Sequence, residues 1–221
     1  MLSFLWATFT AGAQGTFQNL DFESGTFIPV PGDPYGSVEF APGLPGWVGY
    51  CGTNQQTLLL YNNAFLGSPG IGIEGTQHGA IDGQYSVLLQ SGGYMGSFVN
   101  TSISQTGLVP VGTQSILLKA ENFSGSPPTD FSVNLNGQTL SLIPLETETN
   151  YVLYGAEVSQ FAGTTAELTL TALSVGPYNQ FNNVLFDDIQ FSPSSVPEPS
   201  VFGLIALGGL FFGLRRGENP S

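Results

Sequence analysis

Few side chains in this chain have the types and spacing to do chemistry, and most are acids or aromatic rings. Glu74, Asp82 and Glu121 are carboxylates from which a glycoside-hydrolysing pair could be drawn, because that reaction needs only two. Their spacing singles out no pair. His78, the one histidine, lies in Gly75-Thr76-Gln77-His78-Gly79, which reads as a turn. A Ser-His-Asp arrangement needs all three groups in hydrogen-bond reach, and no Gly-x-Ser-x-Gly elbow occurs. Cys51, the one cysteine, excludes an internal disulfide and reads as a core residue. One His and one Cys fall short of a zinc site. The aromatic rings offer another chemistry. Trp47, Tyr50, Tyr61, Tyr94 and Tyr178 lie in or beside predicted loops, and Asn179, Gln180 and Asn182 flank Tyr178. Such rings stack on the C–H faces of sugars while amides bind the hydroxyls. Tyr178 and Tyr94 stand ahead of Trp47, and packing is the competing role for each.

Charge narrows the partners. The formal net charge is −13 and the cations are Lys119, Arg215 and Arg216 alone. A nucleic-acid surface needs clustered Lys and Arg, so that class is excluded, and other polyanions fit poorly. Neutral polysaccharide or a divalent cation is compatible with an acidic body. Charged residues are 9% of the chain, so Ser, Thr, Asn, Gln and Gly must keep the surface wet. That composition suits hydroxyl-rich partners, and equally suits an exported surface protein without a ligand.

The C-terminal stretch has three parts in order: Val196-Pro197-Glu198-Pro199, an unbroken apolar run from Val201 to Leu214, and Arg215-Arg216. The run is shorter than the ~20 residues that span a hydrocarbon core. It also lacks the polar spacing of a surface helix. The two arginines would hold it on the cytoplasmic side. Gly209 and Gly213 form a weak helix-pairing pattern. The arrangement closely resembles the PEP-CTERM sorting signal of Gram-negative bacteria. That resemblance implies recognition by exosortase, a membrane transpeptidase-like enzyme, with transient anchoring in the inner membrane. Delivery to the cell envelope or extracellular matrix would follow. A plain membrane anchor is the nearest alternative, with bilayer thinning and snorkelling arginines meeting the shortfall in length. At the other end, Leu2 to Phe9 is apolar and Ala11-Gly12-Ala13 offers small residues for cleavage, so residues 1–13 read as a signal peptide lacking its basic region. This leaves residues 14–193 as one domain, ahead of a sorting segment at 194–221.

The elements between the tails are strands. Apolar and polar residues alternate with period two over Thr16–Glu23, Gln84–Ser91, Phe98–Gln105, Gln114–Glu121, Asp130–Asn136, Gln138–Ile143, Tyr151–Val158, Ala166–Leu173 and Asn183–Phe191. Asn136-Gly137 predicts a type I′ hairpin between two of them. Residues 29–46, rich in Pro and Gly, and residues 62–80 read as surface loops. So many strands without a helix predict an all-β, two-sheet sandwich, since one open sheet would leave edges and a face exposed. The hydrophobic helix belongs to the tail.

Two segments carry a second resemblance. Asn19-Leu20-Asp21-Phe22-Glu23-Ser24-Gly25, followed by Pro45-Gly46-Trp47, and the last strand Phe186-Asp187-Asp188-Ile189-Gln190-Phe191 are similar to the galactose-binding-like jelly rolls of bacterial carbohydrate-binding modules. The resemblance implies that first and last strands lie together, bringing Glu23 to Asp187 and Asp188. It implies a structural Ca²⁺ there, held by Glu23 with Asp187 or Asp188, because gathered carboxylates repel unless a cation neutralises them. Alternation places Asp187 on the face of Ile189 and Phe191. The expectation is an exported, non-catalytic module binding a neutral polysaccharide. A purely structural surface or biofilm-matrix protein and a glycan hydrolase stay open as alternatives.

Overall fold

Period-two alternation becomes a strand wherever one face can be buried. The computed structural model describes residues 15–63, 68–94, 97–122, 130–174 and 181–196. The first strands are β1 (Ser37–Glu39), β2 (Val48–Cys51), β3 (Asn54–Gln56), β4 (Leu58–Tyr61) and β5 (Gly70–Gly75). Next come β6 (Tyr85–Tyr94), β7 (Ser97–Val99), β8 (Thr101–Leu108), β9 (Ser115–Asn122) and β10 (Phe131–Leu135). The last are β11 (Gln138–Thr139), β12 (Ile143–Thr147), β13 (Val152–Glu157), β14 (Thr165–Ala172) and β15 (Phe181–Ser192). Among the described residues helix is confined to one turn, α1 (Phe40–Gly43), and a 3-10 turn at Ser159–Phe161. Among the described residues no helix is long and apolar enough to cross a membrane. The segment expected to be a signal peptide, the apolar tail, and Pro197, Glu198, Pro199, Arg215 and Arg216 lie outside the described residues.

The larger sheet runs β1-β4-β5-β6-β15-β9-β13-β12, with β7 paired to β6, and the smaller runs β11-β10-β14-β8-β2-β3. From β6 onward the chain shuttles between the sheets. β6, β15, β9 and β13 face β8, β14, β10 and β11. Every pairing among these neighbours is antiparallel. Eight strands so arranged form a jelly roll. Phe22, Phe186, Phe191, Leu89, Ile103, Ile116, Leu118 and Leu135 fill the space between the sheets. The Asn136-Gly137 hairpin forms as expected. Leu135 pairs with Gln138, and the two turn residues have φ of 51° and 79°.

Several elements differ from the sequence expectation. Thr16–Glu23 is irregular rather than a strand, because Asn19 and Phe22 have φ of 50° and 55°. That breaks the alternation, so Phe17, Leu20 and Phe22 are all buried. The segment plugs the sandwich. Phe17 packs on Phe191 at 5.1 Å, and Ile189 N donates to Leu20 O at 3.0 Å. Residues 29–46 contain β1 and α1, and residues 62–80 contain β5. Gln138–Ile143 divides into β11 and the start of β12. In β15 a bulge between Asp187 and Gln190, with Asp188 at φ 45°, shifts the register. Asp187 is therefore turned to the outer face, while Ile189 and Phe191 point into the core.

Candidate functional site

The outer face of the larger sheet collects the chain's polar chemistry. With Ile73, Val87, Phe186 and Leu118 turned into the core, their strand neighbours face outward. Register then aligns one row across six strands. Glu74 pairs with Ser86, Asp187 with Lys119, Lys119 with Leu153, and Leu153 with Glu146. Phe186 opposite Val87 sets Asp187 beside Ser86, and Ser86 Oγ donates to Asp187 Oδ2 at 2.5 Å.

Residues 76–84, between β5 and β6, fold back as a strap over this row. Ile81 N donates to Ser86 Oγ at 2.8 Å, and Asn150 Nδ2 donates to Ile81 O at 2.9 Å. Lys119 Nζ lies 2.5 Å from Asp82 Oδ2 and 2.8 Å from Asp188 Oδ2. Beneath the strap Ile81, Leu88 and Leu185 form a small apolar cluster with Tyr151 packed against it. Lys119 Nζ sits 5.1 Å from the centre of the Tyr151 ring, within cation–π range.

Burial sets the protonation states. Ser86 and Glu74 are 0% exposed and Asp187 is 1% exposed. Burial pushes Asp187 up to about 8. Its bonds to Ser86 and the Asp188 N–H oppose that rise, and the negative charges of Asp82 and Asp188 add to it. Burial alone pushes Glu74 up to about 7, and neither carboxyl oxygen has a hydrogen-bond partner. Burial also raises Glu121. Asp82 is held low by the hydrogen bond from Lys119. Burial works against the Lys119 charge, but its bonds to Asp188 and Asp82 outweigh it and hold the ammonium protonated.

A cleft of about 270 Å³ opens beside the strap, lined by Leu117, Lys119, Glu146, Tyr151, Leu153, Asp188 and Gln190. Gln190 Nε2 donates to Asp188 Oδ1 at 2.7 Å. The cleft offers apolar walls, one aromatic ring and several hydroxyl-binding groups. Ser86 and Asp187 are adjacent but sealed. His78 is exposed in the expected turn, its N–H bonded to Gly75 O.

Past β15 the chain reaches the three-part segment. Residues 195–217 match the PEP-CTERM protein-sorting motif. The tail is a PEP-CTERM sorting signal. It marks the chain as exported. The chain has no match among curated proteins. Among solved structures it is similar to TmCBM61 in complex with beta-1,4-galactotriose, at 12% identity and TM-score 0.45, covering 81% of this chain and 99% of that one. It is similar to the K2 cleaved adhesin domain of Lys-gingipain, at 16% identity and TM-score 0.40, covering 78% of this chain and 96% of that one. It is also similar to the enzymatically active domain of bacteriophage CBA120 tailspike protein 4, at 12% identity and TM-score 0.38, covering 67% of this chain and 19% of that one.

In the folded body the sequence-predicted residues scatter. Trp47 is 3% exposed, packs on Phe22 at 5.6 Å and donates Nε1–H to Asn19 O at 3.1 Å. It is a core residue, closed to ligand. The Tyr94 backbone ends β6 opposite Ser97, and Tyr178 lies outside the described residues. Cys51 is half-buried rather than core, at the end of β2, with burial raising its thiol. Glu23, Asp187 and Asp188 are not gathered as expected. Glu23 Oε1 accepts from Gln84 N at 2.6 Å and Tyr85 N at 3.0 Å, Asp188 pairs with Lys119, and Asp187 is sealed under the strap. Among the described residues no three such side chains are placed to hold a metal ion. The donor set does not fit calcium, and the neutralising cation is Lys119. Val196 is 6% exposed, its N–H donating to Glu157 Oε1 at 2.6 Å. Sequence reasoning missed Tyr151, Ser86 and Gln190. The signal for Lys119 was available, as the body's one cation among many acids.

Proposed function

We propose that this is an exosortase substrate, anchored transiently in the inner membrane and delivered to a Gram-negative envelope or extracellular matrix. Its sandwich is a non-catalytic module that holds neutral polysaccharide. The observation that carries the sorting reading is the motif match over residues 195–217. For the body, support comes from the cleft where Tyr151 and Leu153 adjoin Lys119, Asp188, Glu146 and Gln190. Pockets of this kind orient a ligand with a few polar groups set among apolar walls. Neutral ligands fit because Lys119, the cation at the cleft, is already neutralised by Asp82 and Asp188. Turnover is disfavoured by the sealing of Asp187 and Glu74, the two carboxyls whose proton affinity is suited to acid–base work.

Mass spectrometry of protein from its native envelope should show a chain shortened near Pro197-Glu198-Pro199. An intact Ser221 terminus would refute the sorting reading. A glycan array should show binding that Tyr151→Ala abolishes while leaving the melting temperature within a few degrees. If Tyr178→Ala or Tyr94→Ala abolishes it instead, the site is at the other predicted aromatics. A purely structural matrix role is the second reading, favoured by the burial of Trp47, and a silent array would support it.

A further inference from the structure

Past β15 the chain is not free. Pro193, Ser194 and Ser195 are exposed, yet the next residue, Val196, is buried. Ser115 Oγ donates to Ser194 O at 2.7 Å, and Val196 N donates to the Glu157 carboxylate at 2.6 Å. A charged acceptor makes the second bond strong. The Val196 side chain fills a hollow over Gly155. A methyl group added at Gly155 would come 2.8 Å from Leu145 Cδ1, 3.1 Å from Val196 Cγ2 and 3.2 Å from Leu117 Cδ2. Val196 thus sits over Gly155 of β13, beside Leu145 of β12 and Leu117 of β9, on the outer face of the larger sheet. The sorting motif begins at residue 195, inside this contact, and Pro197 is one Cα step of ~3.8 Å further on.

We propose that Glu157 and the hollow over Gly155 form a latch that holds the first residues of the sorting motif on the folded body, and that opening this latch limits processing of the tail. The latch is independent of the exosortase reading; its control of processing rests on that reading. An enzyme cutting near Pro197-Glu198-Pro199 must take several residues on each side of the bond into its own cleft. It has no access to Val196 while that residue is bonded to Glu157 of β13. Local opening is then the gate, and the population of the opened form sets the rate when reclosing is fast.

The test uses the full chain in detergent micelles and, in parallel, the producing cell. Amide hydrogen exchange at Val196 should be slow in the wild type. Glu157→Ala should speed it by roughly tenfold to a hundredfold, the worth of a bond to a charged acceptor. Glu157→Gln, which keeps an acceptor oxygen but loses its charge, should fall between the wild type and Glu157→Ala. Gly155→Ala, crowding Val196 from its seat, should act in the direction of Glu157→Ala. In cells, pulse-chase should show the tail lost faster from Glu157→Ala than from Glu157→Gln. Exchange at Val196 as fast as in an unstructured peptide would overturn the latch. Lost protection with unchanged tail removal would overturn its control of processing. Should the tail stay on in every variant, the exosortase reading falls and the control of processing with it, while slow exchange at Val196 still supports the latch.

Discussion

The two faces of the larger sheet are built from the same strands and do opposite things. Ile73, Val87, Phe186 and Leu118 point inward to the apolar cluster between the sheets. One residue along each strand, Glu74, Ser86, Asp187 and Lys119 point outward. The inner face is stabilised chiefly by buried apolar area. The outer face holds buried acids, one ion triad and a strap, and it carries the cleft and the Val196 seat. Fold and chemistry are therefore separated by a single residue step, and perturbing the two faces should give different signatures.

The largest effect is expected inside. Phe186 is 0% exposed and meets Phe131 edge-on at 5.4 Å. Phe186→Ala should cost about 3–5 kcal/mol through lost burial and the cavity left behind, independent of pH. Urea denaturation at two pH values checks both parts.

Outside, stability should depend on pH. Asp187 is raised from 3.8 to about 8 and Glu74 from 4.5 to about 7. Between the unfolded and folded values the native state binds more protons than the unfolded chain. Stability from these groups is thus full below about pH 4 and is lost as pH rises through 7 to 8. Wild-type stability should fall by a few kcal/mol from pH 5 to 8.5. Asp187→Asn should remove most of that slope and Glu74→Gln the remainder. A slope unchanged in Asp187→Asn would mean that the outer carboxyl is solvated and ionised.

The ion triad should matter less. Lys119 is nearly covered, with a side chain 15% exposed, but Asp82 is 49% exposed, and solvent screens such a pair. Lys119→Met should cost about 1–2 kcal/mol, and Asp188→Asn in that background should restore part of it. A loss equal to that of Phe186→Ala would erase the distinction between the faces.

The inner face was the legible one. β6, β9, β10, β13 and β14 follow alternation, which reports a single buried side, and Asn136-Gly137 announces its own turn. The outer face was legible only in its acids. Nothing local links Ser86 to Asp187 or Lys119 to Tyr151, because those meetings depend on register between strands far apart in sequence. The bulge at Asp188 reversed the facing of Asp187, and a single positive φ is invisible to a period count. Asn19 and Phe22 hid the plug for the same reason, with two left-handed residues inside an apparent strand. β1 and β5 were missed because Pro and Gly crowd their surroundings while long-range pairing fixes them.

The smallest expected effect is that of calcium, and it tests whether the outer face needs an ion at all. Ca²⁺ takes six to eight oxygens. Here Glu23 Oε1 already accepts two backbone N–H groups, Asp188 is bonded to Lys119 and Gln190, and Asp187 holds its proton up to about 8. An ion entering this region would have to displace Lys119 from Asp188 or deprotonate Asp187 beneath the strap. A ligand that binds only the native state, at about 100 times its Kd, adds about 2.7 kcal/mol, which for a domain of this size raises the melting temperature by roughly 5–10 °C. Adding excess Ca²⁺ after EDTA should move it by less than about 1 °C. A rise of about 5 °C or more, abolished by Asp188→Asn, would show that Lys119 shares its role with a metal and that the outer face is a binding surface for cations as well as for its own lysine.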